Sequence, residues 1–116
     1  MSYDHNFVLD AYAADTLIGV ARVLAARLYD PTSGRILEVS TTKPGIQVYT
    51  GNKMDQVITG KGGAYARHAG IALETQHSLG TPNQPAFPTT ILRPWEGYFS
   101  ETMFCFFVDS DSQLRT

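Results

Sequence analysis

The stretch GIALETQH, residues 70 to 77, puts a carboxylate in the middle of a segment whose alternation predicts a strand. Ile71, Leu73 and Thr75 fall on one face, and Ala72, Glu74 and Gln76 on the other. Acidic residues are poor strand formers, and a carboxylate buried without a partner is strongly destabilising. Two readings of Glu74 follow. Its face turns to water, the commonest arrangement in antiparallel sheets, or it lines a polar cleft in which Glu74 does acid–base work. Asp4 offers a second carboxylate, as a two-carboxylate glycosidase would require, but nothing in the sequence sets the separation of the pair. The other reactive residue types form weaker patterns. His5, His68 and His77 lie far apart, with no HxxxH or HxH spacing and no CxxC partner, so a metal site has little support. Gly60, Gly62 and Gly63 lack the GxxxxGK[ST] spacing of a phosphate loop and read as loop flexibility. Ser78 follows His77 without a GxSxG elbow, which leaves a serine hydrolase unsupported.

The elements that must position these residues read as all-β and antiparallel. Strands are expected at DHNFVLDA near the N-terminus, at residues 23 to 29, and in RILEVSTT, GIQVYTG, GIALETQ, TTILRP and ETMFCFFVD. Residues 15 to 29 are ambiguous at their start, where Leu17, Val20, Leu24 and Leu28 recur at helical spacing. The turn residues Asp30-Pro31-Thr32-Ser33-Gly34 favour a hairpin and hence a strand before them. Two long loops intervene, NKMDQVITGKGGAYARHA, rich in Gly, and HSLGTPNQPAFP, rich in Pro, and such loops often carry ligand contacts. Tyr49, Tyr65, Phe87, Trp95, Tyr98 and Phe104 read as core or sheet-face residues, a few of which could stack on a sugar ring.

The composition narrows the function classes. A chain of 116 residues holds one core, and 43% hydrophobic content argues against disorder. A net charge of -2 with scattered Lys and Arg offers no footprint for nucleic acid or an anionic membrane. The one cysteine, Cys105, cannot form an internal disulfide and fits a reducing compartment. No signal peptide or membrane-spanning run is evident, so a soluble, cytoplasmic location is expected.

Four blocks occurring together carry more information than any of these motifs. DHNFVL (4 to 9), DPTSGRILEVSTTKPGIQVYTGN (30 to 52), GKGGAYARHAGIALETQH (60 to 77) and PNQPAFPTTILRP (82 to 94) closely resemble, in order and spacing, the C-terminal third of the aldose 1-epimerase (galactose mutarotase) family. The resemblance implies part of an antiparallel β-sandwich of the galactose mutarotase-like supersandwich kind. Residues 1 to 108 would form the C-terminal portion of such a domain and residues 109 to 116 a polar tail. It also implies interconversion of α and β anomers of hexoses such as glucose and galactose, without cofactor or metal. Glu74, in the LETQ block, corresponds to the general base, while Asp4 and Gln47 correspond to residues that bind sugar hydroxyls.

The departures from the family pattern bear on activity. The family's general-acid histidine, with a second histidine and an arginine, belongs to its N-terminal two-thirds, and His5, His68 and His77 do not match those blocks. His68 is expected in a structural or supporting role. AADTLIGVARVLAA replaces a Gly-rich connection, and RPWEGY carries an inserted Trp95. The expectation is therefore a C-terminal piece of a mutarotase, inactive by itself and prone to self-association. The alternative is a sugar-binding or interaction module of the same fold without catalysis.

Overall fold

The computed structural model describes residues 2–10, 12 and 21–109. The ambiguous start of the 15 to 29 segment and nearly all of the polar tail lie outside the described residues. Among the described residues eight strands form in chain order: β1 (Asp4–Val8), β2 (Val23–Tyr29), β3 (Arg35–Thr41), β4 (Gly45–Tyr49), β5 (Thr59–Gly60), β6 (Gly63–Ala64), β7 (Ala72–Gln76) and β8 (Thr102–Val108). They assemble as two three-stranded antiparallel sheets, ordered β1-β4-β7 and β2-β3-β8, with β5 and β6 as a small separate hairpin. The fold is all-β, arranged as part of a sandwich.

The β2–β3 hairpin closes as its turn residues dictate. Asp30 Oδ1 accepts from the Thr32 N–H at 3.0 Å and Asp30 Oδ2 from the Ser33 hydroxyl at 2.6 Å. The Ser33 bond, followed by the Thr32 bond, holds the Asp30 carboxyl below its ordinary value. Gly34 takes φ 68°, which costs glycine little, and its N–H reaches Asp30 O at 2.8 Å. The pairing shifts register between Leu24 and Ala26, a bulge in β2. The expected strand at TTILRP does not form. Pro88 and Pro94 bracket it, the Ile91 N–H turns to Thr89 Oγ1 at 3.2 Å, and Arg93 N–H is taken by Glu96. Local side-chain acceptors thus compete successfully for backbone donors that a strand partner would need.

The two sheets meet through threonines. Thr41 and Thr102 are opposed on β3 and β8, with hydroxyls 3.1 Å apart, and Thr102 in turn lies 2.6 Å from Thr75 of β7. Thr41 is fully buried, as is Val39, and Ile46 of β4 is nearly so. Thr42 extends the junction: its N–H donates to Glu101 O at 3.1 Å and its Oγ1 accepts from Glu101 N–H at 3.0 Å. Elsewhere the apolar faces remain open. Met103, Phe104, Phe106, Phe107 and Val108 of β8, an edge strand, are all exposed.

Because Thr102 bridges Thr41 and Thr75, Thr102→Val should lower stability by about 1–3 kcal/mol without changing side-chain shape. Urea unfolding of this variant and of Thr75→Val checks it, and the double variant should lose less than the sum of the two. An additive result would mean that the two hydroxyls do not interact.

Candidate active site

Antiparallel register decides which residues of the β1-β4-β7 sheet share a face. Asn6 stands opposite Gln47, and Gln47 opposite Glu74, so the three form one row across the sheet. Asp4, Tyr49 and Ala72 form the next row on that side, and Val8, Gly45 and Gln76 the third. The opposite face carries His5, Phe7, Ile46, Val48, Leu73 and Thr75, and Thr75 is the residue that touches the other sheet. Glu74 therefore points away from the sheet junction. It is exposed and makes no hydrogen bond or ion pair with the described residues.

Asp4, Gln47 and Glu74 are brought together on this polar face. Gln47 Nε2 donates to Asp4 Oδ1 at 2.9 Å. Gln47 sits between the two carboxylates, whose strands lie roughly 10 Å apart at two strand spacings. The arrangement presents two acceptor-only carboxylates and an amide to one side of a rigid sheet. A polyhydroxylated ring can donate to such groups, and a carboxylate can take a proton from it. Asn6, not singled out from the sequence, belongs to the same row, and Ser78 Oγ donates to its Oδ1 at 3.4 Å. The signal for Asn6 was its spacing, two residues beyond Asp4.

Loop contacts hold the strands in place. At one end Tyr3 N–H donates to Thr50 Oγ1 at 2.9 Å, Thr50 N–H to Tyr3 O at 3.1 Å, and Asn52 Nδ2 to Tyr3 O at 2.8 Å. His68 has a structural place. With φ 63°, it sets its N–H on Gly51 O at 3.0 Å and its ring Nδ1–H on Thr50 O at 2.6 Å, fastening the loop before β7 to the end of β4. Gly51 is needed at that contact: its φ is 63°, and a Cβ would come within 2.9 Å of Gly70 O. His5 lies on the opposite face from Glu74, edge-on to Tyr3.

His77 lines a separate cleft of about 440 Å³ with Thr42, Lys43, Thr89, Tyr98 and Phe99, beyond the end of β7 and clear of Asp4, Gln47 and Glu74. Burial, and then the Lys43 charge, push the His77 pKa below its ordinary 6.5. Lys43 donates to the Tyr98 hydroxyl and lies 4.6 Å from the ring centroid, and this bond, with a second from Ser100, lowers the Tyr98 pKa. Among the described residues no group of three or more His, Cys, Asp or Glu could hold a metal ion, and no helix is long and apolar enough to cross a membrane.

Comparison with known proteins adds a family to this geometry. A family model described as aldose 1-epimerase matches residues 1–105. The chain is 46% identical over 107 residues to galactose mutarotase of Mus musculus and 45% identical to that of Homo sapiens, taking in 91% of this chain and 29% of each relative. It is 33% identical over 109 residues to aldose 1-epimerase of Escherichia coli (strain K12), covering 92% of this chain and 30% of that relative. The chain thus spans less than a third of the length of these curated relatives.

The His77 environment makes a pH prediction. A histidine kept neutral in the folded chain adds stability that is complete above the unfolded value of 6.5 and is lost as pH falls from there through the folded pKa. The His77 ring protons in an NMR titration should give a midpoint below 6.5. Lys43→Met should raise it only part of the way back, because burial is the larger cause. A midpoint unmoved by Lys43→Met would show that the ammonium is not felt at the ring.

Proposed function

The chain belongs to the aldose 1-epimerase family, and from that premise we propose that it supplies the base-bearing part of a mutarotase that interconverts the α and β anomers of hexoses such as glucose and galactose. The observation that carries this reading is the single polar face that presents Asn6, Gln47 and Glu74 in one row across the strands and Asp4 in the next. In it Glu74 is the general base, and Asp4 with Gln47 holds sugar hydroxyls. Glu74 takes the proton from the C1 hydroxyl, C1 becomes a carbonyl, and the bond from C1 to the ring oxygen breaks as that oxygen receives a proton. Rotation about C1–C2 and closure on the other face of the carbonyl give the other anomer, with the proton transfers reversed. Proton transfer from a positioned carboxylate contributes roughly 10²–10⁴ in rate. A rigid strand suits the task because it aims the carboxylate without a loop's freedom.

The proton for the ring oxygen must come from another group. The three histidines are engaged elsewhere: His5 on the opposite face, His68 on Thr50, and His77 in its own cleft. This supports an acid supplied from outside the described residues, as the family resemblance implies. The same observation favours a second reading, a sugar-binding module of this fold without turnover. A cytoplasmic setting agrees with the free, half-buried Cys105.

In the complete polypeptide that contains this segment, Glu74→Gln should remove most turnover while leaving hexose affinity within about tenfold, since it keeps size and hydrogen bonding but loses the basic lone pair. Polarimetry of freshly dissolved α-D-glucose or α-D-galactose reads the outcome. Near-normal mutarotation by the Gln variant would remove Glu74 from the base role, and an inactive parent that still binds hexose would select the binding module. Asp4→Ala and Gln47→Ala should each weaken hexose binding by about 1–3 kcal/mol, because sugar hydroxyls lose their partners. Calorimetry showing unchanged affinity in both would sink their assignment.

A further inference from the structure

The cleft beyond the end of β7 is walled by segments that only the fold brings together. Lys43 stands in the link between β3 and β4, His77 directly follows β7, and Thr89, Ile91, Tyr98 and Phe99 come from the connection between β7 and β8. Its volume of about 440 Å³ suits a small organic molecule. Among the described residues no carboxylate lines the cleft and none pairs with Lys43, whereas Arg22 and Arg27 are paired with Glu101 and Glu38. The Lys43 charge is also anchored. Its backbone N–H donates to Thr41 Oγ1 at 3.1 Å, on the threonine junction that joins the sheets, and its ammonium lies over the Tyr98 ring.

The walls offer donors. The Lys43 ammonium has three N–H bonds and gives one to the Tyr98 hydroxyl, so two remain. Thr89 Oγ1 accepts from the Ile91 N–H at 3.2 Å, which leaves the Thr89 hydroxyl hydrogen to donate elsewhere. The half-buried His77 ring makes no hydrogen bond with the described residues. An uncompensated cation and unspent donors beside the apolar Ile91 and Phe99 are complementary to an anion with an organic body. A phosphate monoester carries three strong acceptor oxygens against the two of a carboxylate, which matches donors on three separate residues. We propose that this cleft binds a small phosphate monoester, its phosphate taken by Lys43 Nζ, the His77 ring and the Thr89 hydroxyl, and its organic part lying along Ile91 and Phe99. The site is separate from the polar face and does not depend on the function proposed above. Burial and the Lys43 charge hold His77 neutral in the empty cleft. A phosphate beside both offsets the ammonium and stabilises the imidazolium, so binding draws a proton from solvent onto His77. Tyr12 and Tyr98 are the other titratable side chains that line the cleft among the described residues.

Inorganic phosphate exchanged for chloride at constant ionic strength, titrated into the ¹⁵N-labelled full chain, tests this. The amide signals of Lys43, His77 and Thr89 should move and saturate, and the His77 ring midpoint should rise from below 6.5 toward or above it. Phenyl phosphate should bind more tightly than inorganic phosphate, and acetate about tenfold more weakly, having fewer acceptor oxygens and less charge. Lys43→Met should weaken phosphate binding about tenfold, the loss of one charge-assisted hydrogen bond, and Lys43→Arg should restore most of it. His77→Ala, which should weaken binding and abolish the accompanying proton uptake, decides the matter if Lys43→Met does not fold. Shifts that never saturate, a His77 midpoint unmoved by phosphate, or unchanged affinity in the variant that decides overturn the proposal. Saturable shifts at Asp4, Gln47 and Glu74 instead would put the anion on the polar face and overturn it too. Acetate bound as tightly as phosphate rejects the phosphate, and no gain from the phenyl group rejects the organic part.

Discussion

The register of β1 against β4, and of β4 against β7, is the constraint on which the polar face depends. Side chains alternate with a period of two, so a slip by one residue in any of the three strands would move its polar members to the sheet junction and its apolar members outward. The register is held at both ends. At one end Thr50, Asn52 and Tyr3 share a cluster of hydrogen bonds, and His68 draws the chain ahead of β7 onto the same corner. At the other, Leu9 N–H reaches Pro44 O at 2.9 Å while Asn6 lies over Gly45. A larger residue at Gly45 would also approach Phe7 O at 3.0 Å, which is backbone and gives way only if β1 moves.

The second sheet supports the first from behind. Thr75 is adjacent to Glu74 and faces the other way, so the hydroxyl pairing of Thr75 with Thr102 fixes the pleat that sends Glu74 outward. Small β-branched residues suit this junction because they pack closely and still satisfy their hydroxyls on each other. The core they seal is slight, with Ile36, Val39 and Ile46 its buried apolar members among the described residues. The apolar side chains of β8 stand largely in solvent, so burial contributes less to this fold than its strand composition suggests.

The electrostatics divide the surface into two regions. The polar face holds Asp4 and Glu74 with amides between them and, among the described residues, no cation hydrogen-bonded to either carboxylate. The cleft beyond β7 gathers Lys43, His77 and Tyr98, where the ammonium stabilises a phenolate and disfavours an imidazolium. Carboxylates and basic groups thus occupy different surfaces, and β7 leads from one to the other. His5, His68 and His77 thus all stand off the face that carries Glu74.

The sequence by itself determined the strands whose alternation or turn chemistry is local. Asp30, Pro31, Ser33 and Gly34 announced the hairpin because their own side chains and backbone preferences close it, and Val23–Tyr29 formed as expected. Ala72–Gln76 was legible from period alone, and the four family-like blocks led to Glu74, Asp4 and Gln47. TTILRP was misread because its apolar content suggested a strand while its prolines and local acceptors withheld the backbone donors. Only the tertiary structure decided that positions 4, 6, 47 and 74 share a face, because pairing register joins residues dozens apart and no local preference encodes it. The place of Asn6 in that row was hidden for the same reason: its neighbours Gln47, Gly45 and Ser78 are distant in sequence, and only strand pairing brings them to it.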